Sequence, residues 1–268
     1  MTSIKVRCPA KINLDLKVTG KRPDGFHNIE STMQTISLYD VLTISVIDSE
    51  VGEIHLDGNS NEIPYDEKNL VYKAVELFLK TVKAPPKTVL IYIDKKIPVS
   101  AGLAGGSTDA AGTLFGLNIL MDNPLSDEEL HKLCAELGSD LNVCLKGGCL
   151  KASGRGEIIS PQEFKHMNIS LIKPIILGIS AKEAYTKFSY KVAKHLDTET
   201  REKYVNDLEW AVINDYPELR YIKEKYPNSI MTGSGSTYFM VNADFDVNEE
   251  GYVVQNSLET TNCGVELC

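Results

Sequence analysis

Apolar and polar positions alternate along the first sixty residues. "IKVRCPAKINLDLKV", "TISLYDVLTISVID" and "GEIHLDG" repeat with a period of two, the spacing of half-buried strands. The last two are expected to be antiparallel strands joined by turns. The period then lengthens. "NLVYKAVELFLKTV" carries apolar residues at helical spacing behind Asn69, a residue type that caps helices. "TVLIYIDKKIP" predicts another strand, and "STDAAGTLFGLNIL" and "SDEELHKLCAELG" predict helices. In the last of these, Ser126 and Glu129 stand in capping-box spacing and Gly138 marks the end. "GGCLKASGRGEII" reads as a hairpin.

Past Ile159 the pattern restarts. "ISLIKPIILGIS" predicts a strand, "AKEAYTKFSYKVAKHL" and "TETREKYVNDLEWAVI" helices, and "NSIMTGSGSTYFMVN" a strand, a Gly-Ser turn and a strand. This order is not a regular β-α-β alternation, so the fold class expected is α+β, with one domain over 1–158 and a second over 159–268.

The chain has 268 residues, 43% hydrophobic and 24% charged, enough for substantial cores. No apolar run approaches the roughly 20 residues of a membrane span, and the N-terminus lacks a signal-peptide layout. A cytoplasmic protein with no membrane partner is expected. Six cysteines form no C-x-x-C pair, which speaks against zinc or redox chemistry and for reduced thiols. A net charge of −9 argues against a nucleic-acid partner. An anionic small molecule would have to be met by cations and backbone N–H groups gathered in one place.

One stretch offers such a place. In "IPVSAGLAGGSTDAAGTLFGLN", Gly102, Gly105 and Gly106 precede Ser107, Thr108 and Asp109 and then a helix. A helix N-terminus presents free N–H groups and a positive dipole end, and residues without side chains let a phosphate come close. The same residues also fit a plain glycine turn capped by Ser107 or Asp109. The P-loop pattern G-x-x-x-x-G-K-[ST] and the dinucleotide pattern G-x-G-x-x-G are both absent.

"PVSAGLAGGSTDAA" resembles the P-x-x-x-G-L-G-G-G-S-S-[ND]-A-A loop of the GHMP kinases, the galactose, homoserine, mevalonate and phosphomevalonate kinases. "PAKINLDLKVTGKRPDGFHNIES" and "ELGSDLNVCLKGGCLKASGRGE" resemble one branch of that superfamily, which phosphorylates a cytidine-diphosphate-linked methylerythritol. "IMTGSGSTYF" is similar to the superfamily's third motif. The blocks keep the family's order over nearly the whole chain. The resemblance implies a two-domain fold, ribosomal S5 domain 2-like then ferredoxin-like, with the substrate in the cleft between them. It also implies transfer of a phosphoryl group from ATP, with Mg²⁺, to the acceptor's 2-hydroxyl in isoprenoid precursor synthesis, by a monomer or homodimer. Another GHMP kinase or a silent nucleotide-binding relative are the competing readings; "RPDGFH" and the retained Lys11 and Asp140 speak against them.

By the same resemblance, Lys11 and Asp140 stand at the acceptor hydroxyl, Asp140 as general base or as the group that orients its proton, and Lys11 stabilising the nascent alkoxide and the transferring phosphoryl group. Asn13, two residues on, shares the strand face of Lys11 and lies near the methylerythritol. His27 reads the cytosine edge between ring walls at Phe26 and Tyr185. Asn69, Leu70 and Asn118 lie near the adenine pocket, Lys96 is within reach of adenine or phosphate, and Gly102, Leu103, Ala104, Gly105, Gly106, Ser107 and Thr108 cradle the phosphates. Lys182, Gly233, Ser234 and Gly235 lie near the acceptor. No dedicated metal ligands are expected, Mg²⁺ being held by nucleotide phosphates and water. Taken singly, Lys11, Lys96 and Lys182 equally fit surface lysines, Asp140 a turn residue, His27 an exposed loop residue and "GSGS" a hairpin turn.

The chain departs from the family pattern at Phe26 (usually Tyr), Ala104 (Gly), Thr108 (Ser), Asn142 (Pro) and Ala181 (often Thr). A methyl at Ala104 is expected to be tolerated only with a negative φ.

Overall fold

A computed structural model describes residues 2–246 and 250–268. The N-terminal sheet is built on β1 (Thr2–Asn13) and the long β3 (His27–Asp48), paired antiparallel along their length with a bulge between Pro9 and Ala10. The early part of β3 pairs with β2 (Lys17–Lys21) and β6 (Cys149–Ser153), and the later part with β5 (Lys87–Asp94). β6 turns back into β7 (Ile158–Pro161) as the expected hairpin. β4 (Glu53–Gly58) does not lie beside β3, as the alternation suggested, but runs parallel to β5 at the sheet edge. Alternation shows that a strand has one buried face; it carries no information about which strand lies alongside.

Four helices cover one face: α1 (Leu70–Thr81), α2 (Gly105–Leu120), α3 (Asp127–Leu137) and α4 (Leu141–Lys146). α1 is capped by Asn69, whose side chain accepts from the Val71 N–H at 2.9 Å. The capping box of Ser126 and Glu129 opens α3 with both reciprocal bonds in place. α2 is apolar or small on nearly every side and is buried accordingly. It lies so close to the sheet that a Cβ on Gly112 would come within 2.3 Å of Cys8 Sγ.

The second sheet has the order β11 (Tyr252–Glu259), β8 (Asn168–Pro174), β10 (Tyr238–Val241), β9 (Ile230–Met231), all antiparallel. In chain order that is fourth, first, third, second, the ferredoxin-like arrangement. α5 (Ala181–Ala193), α6 (Asp207–Val212) and α7 (Pro217–Lys225) pack on it around Trp210, Leu219 and Tyr238. "TETREKYVNDLEWAVI", expected to form one helix, divides into a 3-10 turn over Thr198–Lys203 and α6, because Asn206 stops and restarts the chain as an N-cap. The 158/159 division falls inside β7, so the junction of the two sheets is better drawn between Pro161 and Asn168. The short β12 (Glu266–Leu267) returns to pair with β1. No helix among the described residues is long and apolar enough to cross a membrane.

Candidate active site

The end of β1 organises a cavity of about 980 Å³ between the two sheets. On one side this end pairs with β3; on the other it takes in two loops. Lys11 N–H donates to the Leu103 carbonyl at 3.1 Å, and Asn13 N–H donates to Thr232 Oγ1 at 3.0 Å. The two glycine motifs are therefore docked side by side. They interlock: a Cβ on Gly102 (φ +74°) would lie 2.1 Å from the Thr232 carbonyl, and one on Gly233 (φ +55°) 2.9 Å from the Gly102 carbonyl. Only glycine accommodates this crossing.

Lys11 and Asn13 point to the same face, as strand geometry requires. Lys11 is 2% exposed, and its ammonium donates to Asn13 Oδ1 at 2.7 Å and to the Gly102 carbonyl at 2.9 Å. Asn13 is fixed in turn by its donation to Ser31 Oγ at 2.8 Å. A buried ammonium with two neutral acceptors still lacks a counter-charge. Asp140 Oδ2 supplies one at 3.8 Å. Asp140 occupies the N-cap position of α4 but makes no side-chain cap bond, so its carboxylate, 32% exposed, remains directed at the cavity.

Ahead of α2 the loop runs through Gly102 and Ala104 into the helix N-terminus. Ala104 is the N-cap and sits at φ +61°, not at the negative φ expected. The methyl is carried in the left-handed region at a cost of about 1 kcal/mol, because the chain must turn into α2 there. Gly105, Gly106 and Ser107 line the cavity with the unpaired N–H groups of the first turn. Beneath them the buried carboxylates of Asp40 and Asp109 both pair with the Lys95 ammonium, at 2.9 Å for Asp109. Burial pushes the Asp109 carboxyl up to about 7, against the pull of Lys95. A Cβ on Gly105 would come within 2.7 Å of the Lys95 ammonium, so this ion group forms the floor of the loop.

The opposite end is aromatic. The Asp24–Gly25 turn presents Phe26 and His27. His27 stacks on Tyr185 with centroids 5.0 Å apart and an interplanar angle of 15°, and its Nε2 lies 2.8 Å from Ser189 Oγ. Burial, and secondarily the Lys21 ammonium, lower the His27 pKa. Burial and the Asp140 carboxylate push the Tyr185 phenol up. The Phe26 ring is half exposed, with the Arg155 guanidinium 5.1 Å above its centroid.

Of the residues singled out from sequence, Lys11, Asn13, Phe26, His27, Asn69, Leu70, Gly102, Ala104, Gly105, Gly106, Ser107, Asp140, Lys182, Tyr185, Gly233 and Ser234 all line this one cavity. Five do not. Asn118 sits near the far end of α2, roughly 20 Å away at 1.5 Å per residue, where its amide ties down Leu125. Lys96 points outward, 62% exposed beside Asp94, because its backbone N–H is held by Asp40 and the extended chain turns Lys95 inward instead. Leu103 and Thr108 are buried in the protein. Leu103 contributes its carbonyl to Lys11, not a cavity contact. Gly235 is turned away, donating its N–H to the Thr232 carbonyl and packing against Met231 and Ile179.

Lys95, Asp109, Arg155 and Ser189 line the cavity without having been singled out for it. Ser189 follows Tyr185 by one helical turn, a spacing that puts both on one face. Arg155 sits at the tip of the β6–β7 hairpin between two glycines, its side chain 25% exposed and donating to the Ala135 carbonyl at 3.1 Å. Asn142, where the family usually has proline, accepts through Oδ1 from His131 Nδ1 at 2.9 Å and donates through Nδ2 to the Glu157 carbonyl at 2.8 Å, bracing α4 against its neighbours.

Residues 69–148 match the GHMP kinases N terminal domain. The chain is 40% identical over 255 residues to the 4-diphosphocytidyl-2-C-methyl-D-erythritol kinase of Bacillus pumilus, covering 87% of this chain and 86% of that protein. A crystal structure of a 4-(cytidine 5'-diphospho)-2C-methyl-D-erythritol kinase superposes with a TM-score of 0.75 at 26% identity, covering 96% of this chain and all of the other. The homoserine kinase of Cytophaga hutchinsonii has a TM-score of 0.74 at 17% identity, covering 100% of this chain and 98% of that one, a likeness of fold alone.

Proposed function

The chain belongs to the 4-diphosphocytidyl-2-C-methyl-D-erythritol kinase family of the GHMP kinases, and from that premise we propose how its cavity performs the reaction. It is an ATP-dependent kinase that phosphorylates the acceptor's 2-hydroxyl, giving the 2-phosphate and ADP. Phosphoryl transfer asks a protein for alignment, charge neutralisation and a place for one proton. The loop from Gly102 to Ser107 holds the triphosphate on the first-turn N–H groups of α2. Asp140 takes the hydroxyl proton as that oxygen attacks the γ-phosphorus and the bond to ADP breaks. Lys11 sits where negative charge gathers. The observation that carries this reading is the Lys11–Asp140 approach at 3.8 Å beside the paired glycine loops.

The described residues gather no cluster of three or more Asp, Glu, His or Cys around a metal position. The Ser107 hydroxyl offers a hard oxygen donor on the wall, which suits a Mg²⁺ carried by the phosphates of ATP. Bound there, the ion supplies charge neutralisation to those phosphates.

Purified protein with Mg-ATP is expected to release ADP with the cytidine acceptor and not with mevalonate or homoserine. Turnover of another acceptor without the cytidine compound would sink the assignment.

His27 is assigned to the cytosine edge. A neutral imidazole offers one donor and one acceptor; protonation removes the acceptor. Because burial and Lys21 lower its pKa, the neutral ring persists to more acidic pH than a free histidine. The KM for the cytidine acceptor is therefore expected to stay flat as pH falls through about 6.5, the ordinary histidine value, and to rise only below it. A rise already complete at that pH would exclude His27 from this role.

A further inference from the structure

The segment "VNDLEW" contributes nothing to the cavity wall except Leu208, yet it holds the part of the wall that meets Lys11. Asn206 is fully buried at the N-cap of α6. Its Oδ1 accepts from the Leu208 N–H at 2.8 Å, which is all that capping requires and which Ser, Thr or Asp would provide equally. Asparagine alone among these also brings an NH2 group. Both of its protons are used: Nδ2 donates to the Met231 carbonyl at 2.7 Å and to the Gly233 carbonyl at 2.8 Å. Glu209 Oε2 takes the Met231 N–H at 3.3 Å, so one short segment holds the third glycine motif at three backbone points.

The bond to Gly233 has a directional consequence. The Gly233 carbonyl and the Ser234 N–H belong to one planar trans unit and point in opposite directions. With the carbonyl held towards Asn206, the Ser234 N–H faces away from that buried anchor. No described residue accepts from it. Gly233 and Ser234 both line the cavity, and a Cβ on Gly233 would be 3.2 Å from the Lys11 ammonium. The geometry points to Asn206 as a positioning residue of the phosphoryl-transfer reaction: by fixing the Gly233 carbonyl it aims the Ser234 amide, beside Lys11, at the phosphate being transferred. The inference rests on the kinase reading above.

Asn206→Asp keeps the size and the capping oxygen and removes both donated bonds. It is expected to lower kcat by about 100-fold, the scale of a misplacement near 1 Å, with the KM for ATP and acceptor within about threefold. Asp207→Asn is the control. Asp207 is buried one residue away, accepts from the Val18 N–H at 2.7 Å and pairs with Arg201, but does not touch Gly233. That variant is expected to lose thermal stability and keep kcat within threefold where it is folded. A kcat for Asn206→Asp within threefold of the parent, or a loss matched by Asp207→Asn, would overturn the assignment. If Asn206→Asp does not fold, Asn206→Ser, which retains a capping hydroxyl, carries the same expectation. A readout independent of the acceptor separates this from the kinase reading. In ¹⁵N-serine-labelled protein the Ser234 amide resonance is expected to shift on adding Mg-ATP, and not to shift in the Asn206 variant. No shift in the parent protein overturns the inference even if turnover is normal; a shift without turnover of the cytidine acceptor overturns only the substrate.

Discussion

Replacing Asp140 by asparagine is expected to reduce kcat by about 1,000-fold while leaving the affinity for ATP within twofold. General-base assistance contributes on the order of 10² to 10⁴, and the upper part of that range suits an alcohol whose proton has no other acceptor placed for it. The substitution is nearly isosteric. Asp140 makes no side-chain cap bond to α4, so the exchange removes no cap and the fold is expected to survive. What it removes is the negative charge 3.8 Å from Lys11 Nζ and the only carboxylate proposed for the hydroxyl proton. Calorimetric titration with ATP and steady-state ADP release test the two halves separately. Full activity in Asp140→Asn would take the residue out of the mechanism.

Lys11→Met is expected to lower kcat by roughly 100- to 1,000-fold, the effect of removing one preorganised stabiliser of transition-state charge. It also removes the ammonium donation to Asn13 Oδ1 and the Gly102 carbonyl, leaving the single Thr232 hydroxyl proton near both, at 3.4 and 3.2 Å, so that one acceptor goes unserved at a stability cost of about 1 to 3 kcal/mol. Thermal melting should show that cost, and assays well below the midpoint should still show the loss in kcat. Lys11→Arg is not expected to rescue, because a planar guanidinium cannot put a compact charge at the point where the Lys11 ammonium meets both Asn13 Oδ1 and the Gly102 carbonyl. The double variant with Asp140→Asn should lose little more than the worse single variant, since the pair acts as one unit. Strictly multiplicative losses would argue for two independent roles.

Together these expectations describe a site whose charge is local. The protein carries a net charge of −9, yet its cavity gathers Lys11, Lys21, Arg155 and Lys182 with the N-terminus of α2. An acidic protein can hold polyphosphates this way because field and hydrogen bonds act within a few ångströms, whereas net charge governs encounters at longer range.

The amino-acid sequence by itself determined what depends on neighbours along the chain. The caps at Asn69 and Ser126 are contacts within three residues, so residue type and spacing suffice to read them. The glycine loop before α2 is legible for the same reason, as are the shared face of Lys11 and Asn13 and the turn before Phe26. α7 carries a weaker local signal, Pro217 at its first turn with only Leu219 and Ile222 buried at helical spacing. Tertiary structure alone decided the rest. Lys95 and Lys96 are equivalent as sequence, and only the buried Asp40 and Asp109 draw one inward. Asn118 belongs to a helix whose start is at the site and whose end is not. β4 has a face to bury in either register and pairs with β5 because the sheet leaves that edge open. The site itself joins Lys11 to Gly102 across 91 residues and Asn13 to Thr232 across 219. Such contacts depend on how two sheets and their loops pack, and no local periodicity encodes which distant carbonyl a buried ammonium or amide will meet.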